Sequence, residues 1–417
     1  MILIYSQHKS TRLNYIFDFV FKAKYQNYLI TQCIDEFKAS SETKINYSSL
    51  DLNADLTIIP EGLLFEKTIR DSINVTFNAS DENWRINDEN DPLSIIFFFL
   101  TCYEEYYIKE RDEHERFSAK NSSLSKNNRL HKPNADLIVM QIWDHLKLDY
   151  IPIQKKYKSI ITFDIDSAWA IKNKSRVRSI GSDIKSFLKR ESTSSRRAIR
   201  SGSKADPFDT FDTITEVSKK SEVICFFLLG NWGSLDKNIN WKNEHFRYLI
   251  NDLATKLTIG IHPSYKSYLS PNLIKKELER LNKITNLENT RSRQHFLKLE
   301  LPKSYEILEE IGIKEDYSMG FADAYGFRAG TSFPFRFFNL SKGTISNLTV
   351  YPISYMDGTL NQYLKLSIED SAKVVKKLKS EIKNTGGIFI PLWHNETINN
   401  EGSWRGWMSV FESNFDD

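Results

Sequence analysis

The chain has 417 residues, of which 27% are charged, 40% hydrophobic and 13% aromatic, and its net charge is +3. At ~150 residues per domain this length holds two or three domains and buries a core without disulfide or metal staples. The near balance of charge gives no general case for a nucleic-acid or anionic-membrane partner, and apolar runs such as Ile95–Leu100 are far short of the ~20 residues of a membrane span. The opening MILIYSQHKS does not read as a secretory signal, because His8, Lys9 and Arg12 cut its apolar stretch short. Cys33, Cys102 and Cys225 are odd in number and widely spaced, which suits reduced thiols and a cytoplasmic location.

In chain order, Ile2–Tyr5 and Leu56–Pro60 are predicted strands, and Leu13–Phe21 has helical spacing. Ile95–Tyr107 is predicted to be a helix with an aromatic buried face, continuing into the charged KERDEHERF, with His114 solvated in that tail. These features define an α/β unit over residues 1–154 with no visible catalytic signature. It is expected to be dispensable for chemistry and to serve substrate presentation or assembly.

Past residue 155, predicted strands alternate with helices. The strands are Ile160–Phe163, Val223–Leu229, Leu257–Ile261, Thr349–Ile353 and Ile388–Leu392. The helices are Phe246–Lys256, Pro271–Ile284, Pro302–Ile311 and Ser367–Lys383. Such alternation argues for a parallel α/β core, barrel or open sheet, over 155–417. One basic insertion, around 172–205, interrupts it. Lys172, Lys174, Arg176, Arg178, Lys185, Lys189, Arg190, Arg196, Arg197, Arg200 and Lys204 stand there against only Asp183 and Glu191. It reads as an exposed loop or a surface for polyanions. No nucleic-acid-binding motif accompanies it.

In a parallel α/β architecture the active groups collect at the carboxyl ends of strands. Asp164 and Asp166 follow the first strand of this half, His262 follows Leu257–Ile261, and His394 and Glu396 follow Ile388–Leu392. Arg293 and His295 sit in the segment 291–299, and Arg328 lies in the loop 326–330. Two carboxylates and neutral imidazoles suit zinc or a similar divalent ion. An arginine can orient a carboxylate that acts as base.

The ordered series FDID (163–166), IHPS (261–264), FRAG (327–330) and LWHN (392–395) resembles the polysaccharide deacetylase family, related to the nodulation chitooligosaccharide deacetylases. The likeness is to bacterial members with an extra N-terminal domain. It implies a distorted (β/α) barrel of seven strands or fewer, preceded by the small α/β unit. It also implies hydrolysis of N- or O-acetyl groups on an acetylated carbohydrate with a divalent metal, usually zinc. By the same resemblance Asp164 is the base, Asp166 and His262 hold metal, Arg328 pairs with the base, and His394 is the general acid. The family's second metal histidine falls at Lys266, and His295 is the expected substitute. Arg293 is expected to engage substrate or a carboxylate. Tyr265 and Trp393, with Tyr325 and Trp404, are candidates to stack on sugar faces. The competing expectations are another metal-dependent C–N hydrolase and a non-catalytic carbohydrate-binding protein on a degenerate barrel.

Overall fold

The computed structural model describes residues 1–174 and 193–416. Arg176, Arg178, Lys185, Lys189 and Arg190 of the basic segment lie outside the described residues. Arg196, Arg197 and Arg200 lie on a helix, Thr193–Ser201. Among the described residues no helix is long and apolar enough to cross a membrane.

The N-terminal part is a small α/β unit. Strands β1 (Ile2–Ser6), β2 (Tyr28–Thr31), β3 (Thr43–Tyr47) and β4 (Leu56–Ile58) form a parallel sheet in the order β2-β1-β3-β4. A hairpin of β5 (Val75–Asn78) and β6 (Asn83–Ile86) follows. The helix expected over 95–107 runs instead from Pro92 to Leu100, where Asp91 accepts hydrogen bonds from Leu93 N and Ser94 N and Pro92 fills the first turn. Every side chain from Leu93 to Leu100 is buried, so this helix is wrapped by protein on all sides. It stops because Cys102 turns left-handed at φ 47°, and only a short 3-10 turn, Tyr103–Tyr106, continues it. The charged tail beyond is a loop that reaches the second half of the chain, where Lys298 pairs with Glu115 at 2.6 Å. His114 is not solvated as expected; its ring packs on Phe296 and Tyr265.

The C-terminal part is a distorted (β/α) barrel. Its strands are β7 (Lys158–Ile165), β8 (Glu222–Phe227), β9 (Thr258–Ile261), β10 (Arg291–Ser292), β11 (Glu315–Asp316), β12 (Phe335–Asn339), β13 (Thr344–Val350), β14 (Tyr355–Met356), β15 (Ile388–Phe389) and β16 (Pro391–His394). The sheet order is β12-β13-β11-β10-β9-β8-β7-β16-β14, parallel except for β12 against β13. β13 and β14 stand near opposite ends of that order, yet they belong to one chain run, 344–356. Between them Ile353 N donates to Met319 O and Ser354 N donates to Ile390 O. The run bends from β11 across to β16 and brings the sheet round on itself, although the ladder is broken at the crossing.

The side-chain alternation agrees with a ring. Ile160, Ile224, Phe226, Tyr317, Ile353, Ile390 and Leu392 form one small cluster inside it. Phe163, Ile165, Val223, Cys225 and Phe227 face the other way, into the larger core beneath the helices. Successive strand residues point to opposite faces, so each strand feeds both layers.

The larger core is continuous from Ile2 to Phe411 and includes both halves of the chain. Polar contacts cross the same junction. Asp136 accepts from Ser332 N and Oγ, and Tyr15 Oη donates to Arg336 O. At Gly326, φ is +114° and an added Cβ would stand 2.2 Å from Leu130 O. Only glycine allows this approach. The N-terminal half is therefore packed against the barrel's wall rather than tethered beside it.

Candidate metal and catalytic site

The Asp-x-Asp spacing acquires its meaning from the strand period. On β7, Thr162 and Asp164 share the face that looks into the ring, and Asp166 continues it just past the strand's end. Parallel pairing aligns Asp164 with His394 on β16 and with Phe226 on β8. Strand ends from β7, β9, β10 and β16 thus meet at one rim.

Asp164 is buried, and its Oδ1 lies 3.1 Å from Nη1 of Arg293, which also donates to Thr162 Oγ1 and, through Nε, to Tyr317 O. Its Oδ2 stands 3.6 Å from His262 Nε2. The His262 ring bonds through Nδ1 to Arg293 O at 2.6 Å, and a carbonyl can only accept, so Nδ1 carries a proton and Nε2 is the ring atom turned toward Asp164 and Asp166. His295 is placed the same way, with Nδ1 on Asp236 Oδ1 at 3.0 Å and Nε2 3.4 Å from Asp166 Oδ2. Asp166 Oδ1 is 3.3 Å from His262 Nε2.

Asp166, His262 and His295 therefore turn three ligand atoms toward one point, all within 4.8 Å of one another. His262 Nε2 and Asp166 Oδ1 are buried without a hydrogen-bond partner. Buried polar atoms left so are costly. Two imidazoles and a carboxylate, with each histidine held from behind by an oxygen, are the donor set of a divalent ion. The residues fit a metal. Burial works against a charged His295, but Asp166 and Asp236 on its two sides outweigh it and raise its pKa to about 9. Burial likewise opposes the Asp166 carboxylate, and His295 and His262 hold it well below the usual range.

Across the cavity His394 bonds through Nδ1 to Asp357 Oδ1 at 2.9 Å, and its backbone N donates to Asp357 Oδ2. Thr397 Oγ1 donates to the same carboxylate. Burial disfavours the imidazolium, yet the Asp357 charge outweighs that and raises His394 well above the ordinary histidine value. Glu396 is raised to about 7, by burial first and by Asp166 second. These groups line a cavity of about 180 Å³ walled by Leu392, Met356, Phe296, Tyr363 and Trp404, with Arg116 of the N-terminal half at its edge. Arg116 donates to Phe296 O. Phe296 and Leu297 both have positive φ, 63° and 52°, a strained backbone of the kind that clusters at functional sites.

The structure brings Asp164, Asp166, His262, His295 and His394 to one rim. It does not bring Arg328 there. Arg328 forms a bidentate pair with Glu105 of the N-terminal half, at 2.7 and 2.8 Å, and Arg293 occupies the place beside Asp164. Arg293 is fully enclosed and lies over the Phe226 ring, so it meets a carboxylate and not substrate. Trp393 is also enclosed, donating to Tyr355 Oη and packing on Phe411. It faces away because it alternates with Leu392 and His394, which line the cavity. Tyr265 packs behind Phe296 and is not a cavity wall, nor is Tyr325. Lys266 is exposed, with its backbone N on Asp236. Asp357, Asp236 and Arg116 escaped the sequence reading. Asp357 follows a strand of two residues, and Asp236 and Arg116 come from irregular loops, so only the Asp357-Gly358 turn pair offered any signal.

Because Arg328 and Glu105 are both buried, Arg328→Leu should leave an uncompensated carboxylate and cost about 3–5 kcal/mol. Urea unfolding reads this directly. Loss of activity with an unchanged urea midpoint would instead return Arg328 to the base.

A model of a family of unknown function, DUF7033, matches residues 2–151. Comparison with curated proteins returns no match. Among solved structures, the chain is similar to a Mycobacterium smegmatis protein assigned as a polysaccharide deacetylase. The identity is 14% over 62% of this chain and 82% of that one, with a TM-score of 0.41. It is also similar to the Puue allantoinase, at 9% identity over 62% of this chain and 82% of that one, with a TM-score of 0.36.

Proposed function

We propose that this chain is a metal-dependent hydrolase that removes acetyl groups from a sugar or polysaccharide precursor. The observation that carries the reading is the convergence of Asp166, His262 and His295, with the buried Asp164–Arg293 pair on one side and the His394–Asp357 pair on the other. The sugar comes from the order of the sequence motifs. Zinc is the favoured ion, since two histidines and one carboxylate leave it an open position.

An ion held by Asp166, His262 and His295 would supply Lewis-acid polarisation of the acetyl carbonyl and make a bound water more acidic. The chain does the rest. Arg293 fixes Asp164 through Oδ1 and leaves Oδ2 toward the triad, so Asp164 takes the proton of the attacking water. The water oxygen bonds to the acetyl carbon, and the C–N or C–O bond to the sugar breaks. His394, protonated because Asp357 stabilises its cation, gives its proton to the departing nitrogen or oxygen. Asp357 also fixes the tautomer and ring orientation of His394. The free thiols of Cys33, Cys102 and Cys225 support a reducing, cytoplasmic setting.

The test is acetate release from N- and O-acetylated sugars by the purified chain. Chelation should abolish it and zinc restore it. The acid form of His394 is lost as pH rises through its raised pKa, so activity should persist through neutral pH and fall on the alkaline side. Asp357→Asn removes the cause of that shift. It should draw the alkaline limb down toward about 6.5 and cost about 100-fold in kcat. An unmoved limb would assign the acid to another group, Glu396 first. Metal-dependent turnover confined to non-sugar amides would replace the sugar with another C–N substrate.

A further inference from the structure

The backbone just past His295 is strained. Phe296 and Leu297 stand side by side at φ 63° and 52°, a region that bulky residues rarely enter and that persists only where the surroundings impose it. The barrel supplies part of the restraint, since His295 N donates to Pro263 O, Leu297 N to Gln294 O and Lys298 N to His295 O. The rest comes from the other half of the chain. The Phe296 carbonyl lies in the peptide plane that sets ψ of Phe296 and φ of Leu297. Flipping that plane would return Leu297 to negative φ and shift the backbone beside His295. Its oxygen is held by Arg116 Nη1 at 3.0 Å.

Arg116 is itself braced. Its backbone N and its Nε both donate to the Asp112 carboxylate, each at 2.8 Å. Glu115 N donates to Asp112 O, which closes this stretch into a compact turn. Nη2 donates to Tyr363 Oη at 3.3 Å, at the end of the π-helical turn Thr359–Tyr363 that follows Asp357. A planar fork with donors in fixed directions thus joins the His295 side of the cavity to the His394 side. Neighbouring residues widen the contact. The His114 ring packs on Phe296 at 4.7 Å, Phe117 packs on Phe321, and Ser118 Oγ donates to Asp323 Oδ2. The loop 112–119 therefore meets the rim loops that follow β10, β11 and β14. Because Nε, Nη1 and Nη2 all donate within the protein and the residue is buried, Arg116 is a strut and not a cation set out for an anionic ligand.

We propose that Arg116 is a positioning residue of the metal centre, supplied by the N-terminal half. It holds the peptide beside His295 and so keeps that imidazole aimed at Asp166 and His262. The proposal rests on the reading of those three side chains as a metal site, and it makes the N-terminal half a working part of the active site.

The experiment compares the full chain with Arg116→Met, which keeps an apolar stem and removes every side-chain donor. Arg116→Lys keeps the charge near Asp112 and loses the fork, and it decides the question if Arg116→Met does not fold. Zinc affinity is read by competition with a chromophoric chelator. The visible absorption of the cobalt(II)-loaded chain reads ligand geometry, and amide hydrogen exchange is read on the metal-free chain. Arg116→Met should weaken zinc about tenfold, the low end for a group that supports a ligand. It should also alter the cobalt spectrum and speed exchange selectively over 294–299. Arg116→Lys should show the same changes to a smaller degree. Acetate release should fall through kcat more than KM, because the substrate's own contacts remain. Zinc affinity within about twofold of wild type and an unchanged cobalt spectrum would overturn the proposal. So would exchange that rises evenly through the chain, the mark of a residue that only adds stability. Arg116-dependent zinc binding without acetate release removes the deacetylase and keeps the positioning role, while zinc-dependent acetate release indifferent to Arg116 does the reverse. A wild-type chain that takes up no zinc overturns both.

Discussion

Asp164→Asn should lower turnover by about 100- to 10,000-fold, the usual cost of losing a general base, while the protein keeps its zinc. The amide is nearly isosteric, and its oxygen can still accept from Arg293. It cannot take a proton from water at neutral pH. The metal donors Asp166, His262 and His295 are held by other groups, among them Asp236 and the Arg293 carbonyl, so metal content should be close to wild type. A second effect follows from burial. Arg293 is fully enclosed, and Asp164 is its only ion-pair partner among the described residues. Neutralising Asp164 leaves a buried guanidinium without its counter-charge, a change that costs about 3–5 kcal/mol when one partner of a buried pair is removed. Activity must therefore be referred to folded, zinc-loaded protein. The double variant Asp164→Asn with Arg293→Met removes the stranded charge and should recover much of the stability but none of the activity. Near-normal turnover in folded Asp164→Asn would move the base elsewhere. Strong zinc loss in the same variant would make Asp164 a ligand.

The site was legible where the chain's periodicity carried it. Asp164, Asp166, His262 and His394 stand at or just past the ends of parallel strands, and a parallel sheet collects such ends at one rim. Trp393 shows the limit of reading by proximity, because the period-two alternation that turns His394 inward turns its neighbour into the outer core. The arginines show another. The motif order placed Arg328 beside the base, but Arg293 stood nearby in the chain's other candidate segment and nothing local says which arginine reaches across the ring. Arg293 enters from β10, where its side chain shares the lumen with Phe226 and Tyr317. Arg328 sits on the junction with the N-terminal half and is spent on Glu105. Asp236, Asp357 and Arg116 act through tertiary placement of loops and a two-residue strand, and no periodicity marks such positions. The continuous helix expected over 95–107 failed for a related reason. A run of buried apolar residues has no period of its own, so its end is set by the left-handed turn at Cys102 and not by pattern.

His295→Ala should weaken zinc binding by more than about 100-fold, beyond the ~10–100-fold typical of losing a residue that only supports a ligand. Removing it leaves Asp166 and His262, two donors where catalytic zinc normally has three. Asp236→Asn tests the support itself, since Asp236 fixes the Nδ1 side of His295, and should fall within that smaller range. Lys266→Ala should bind zinc within about twofold of wild type, because the exposed Lys266 side chain is not a donor at neutral pH. Competition against a chromophoric chelator reads affinity without reference to catalysis. Thermal or urea unfolding gives a second readout. Zinc at about 100 times its Kd adds about 2.7 kcal/mol to the folded state, so the wild type should gain that much, and His295→Ala should gain less than about 0.5 kcal/mol at the same zinc concentration, then about equal to or below its own Kd. Wild-type affinity in His295→Ala would mean that the third donor is another group, and the convergence of these three side chains would then have to be explained as a proton-sharing cluster.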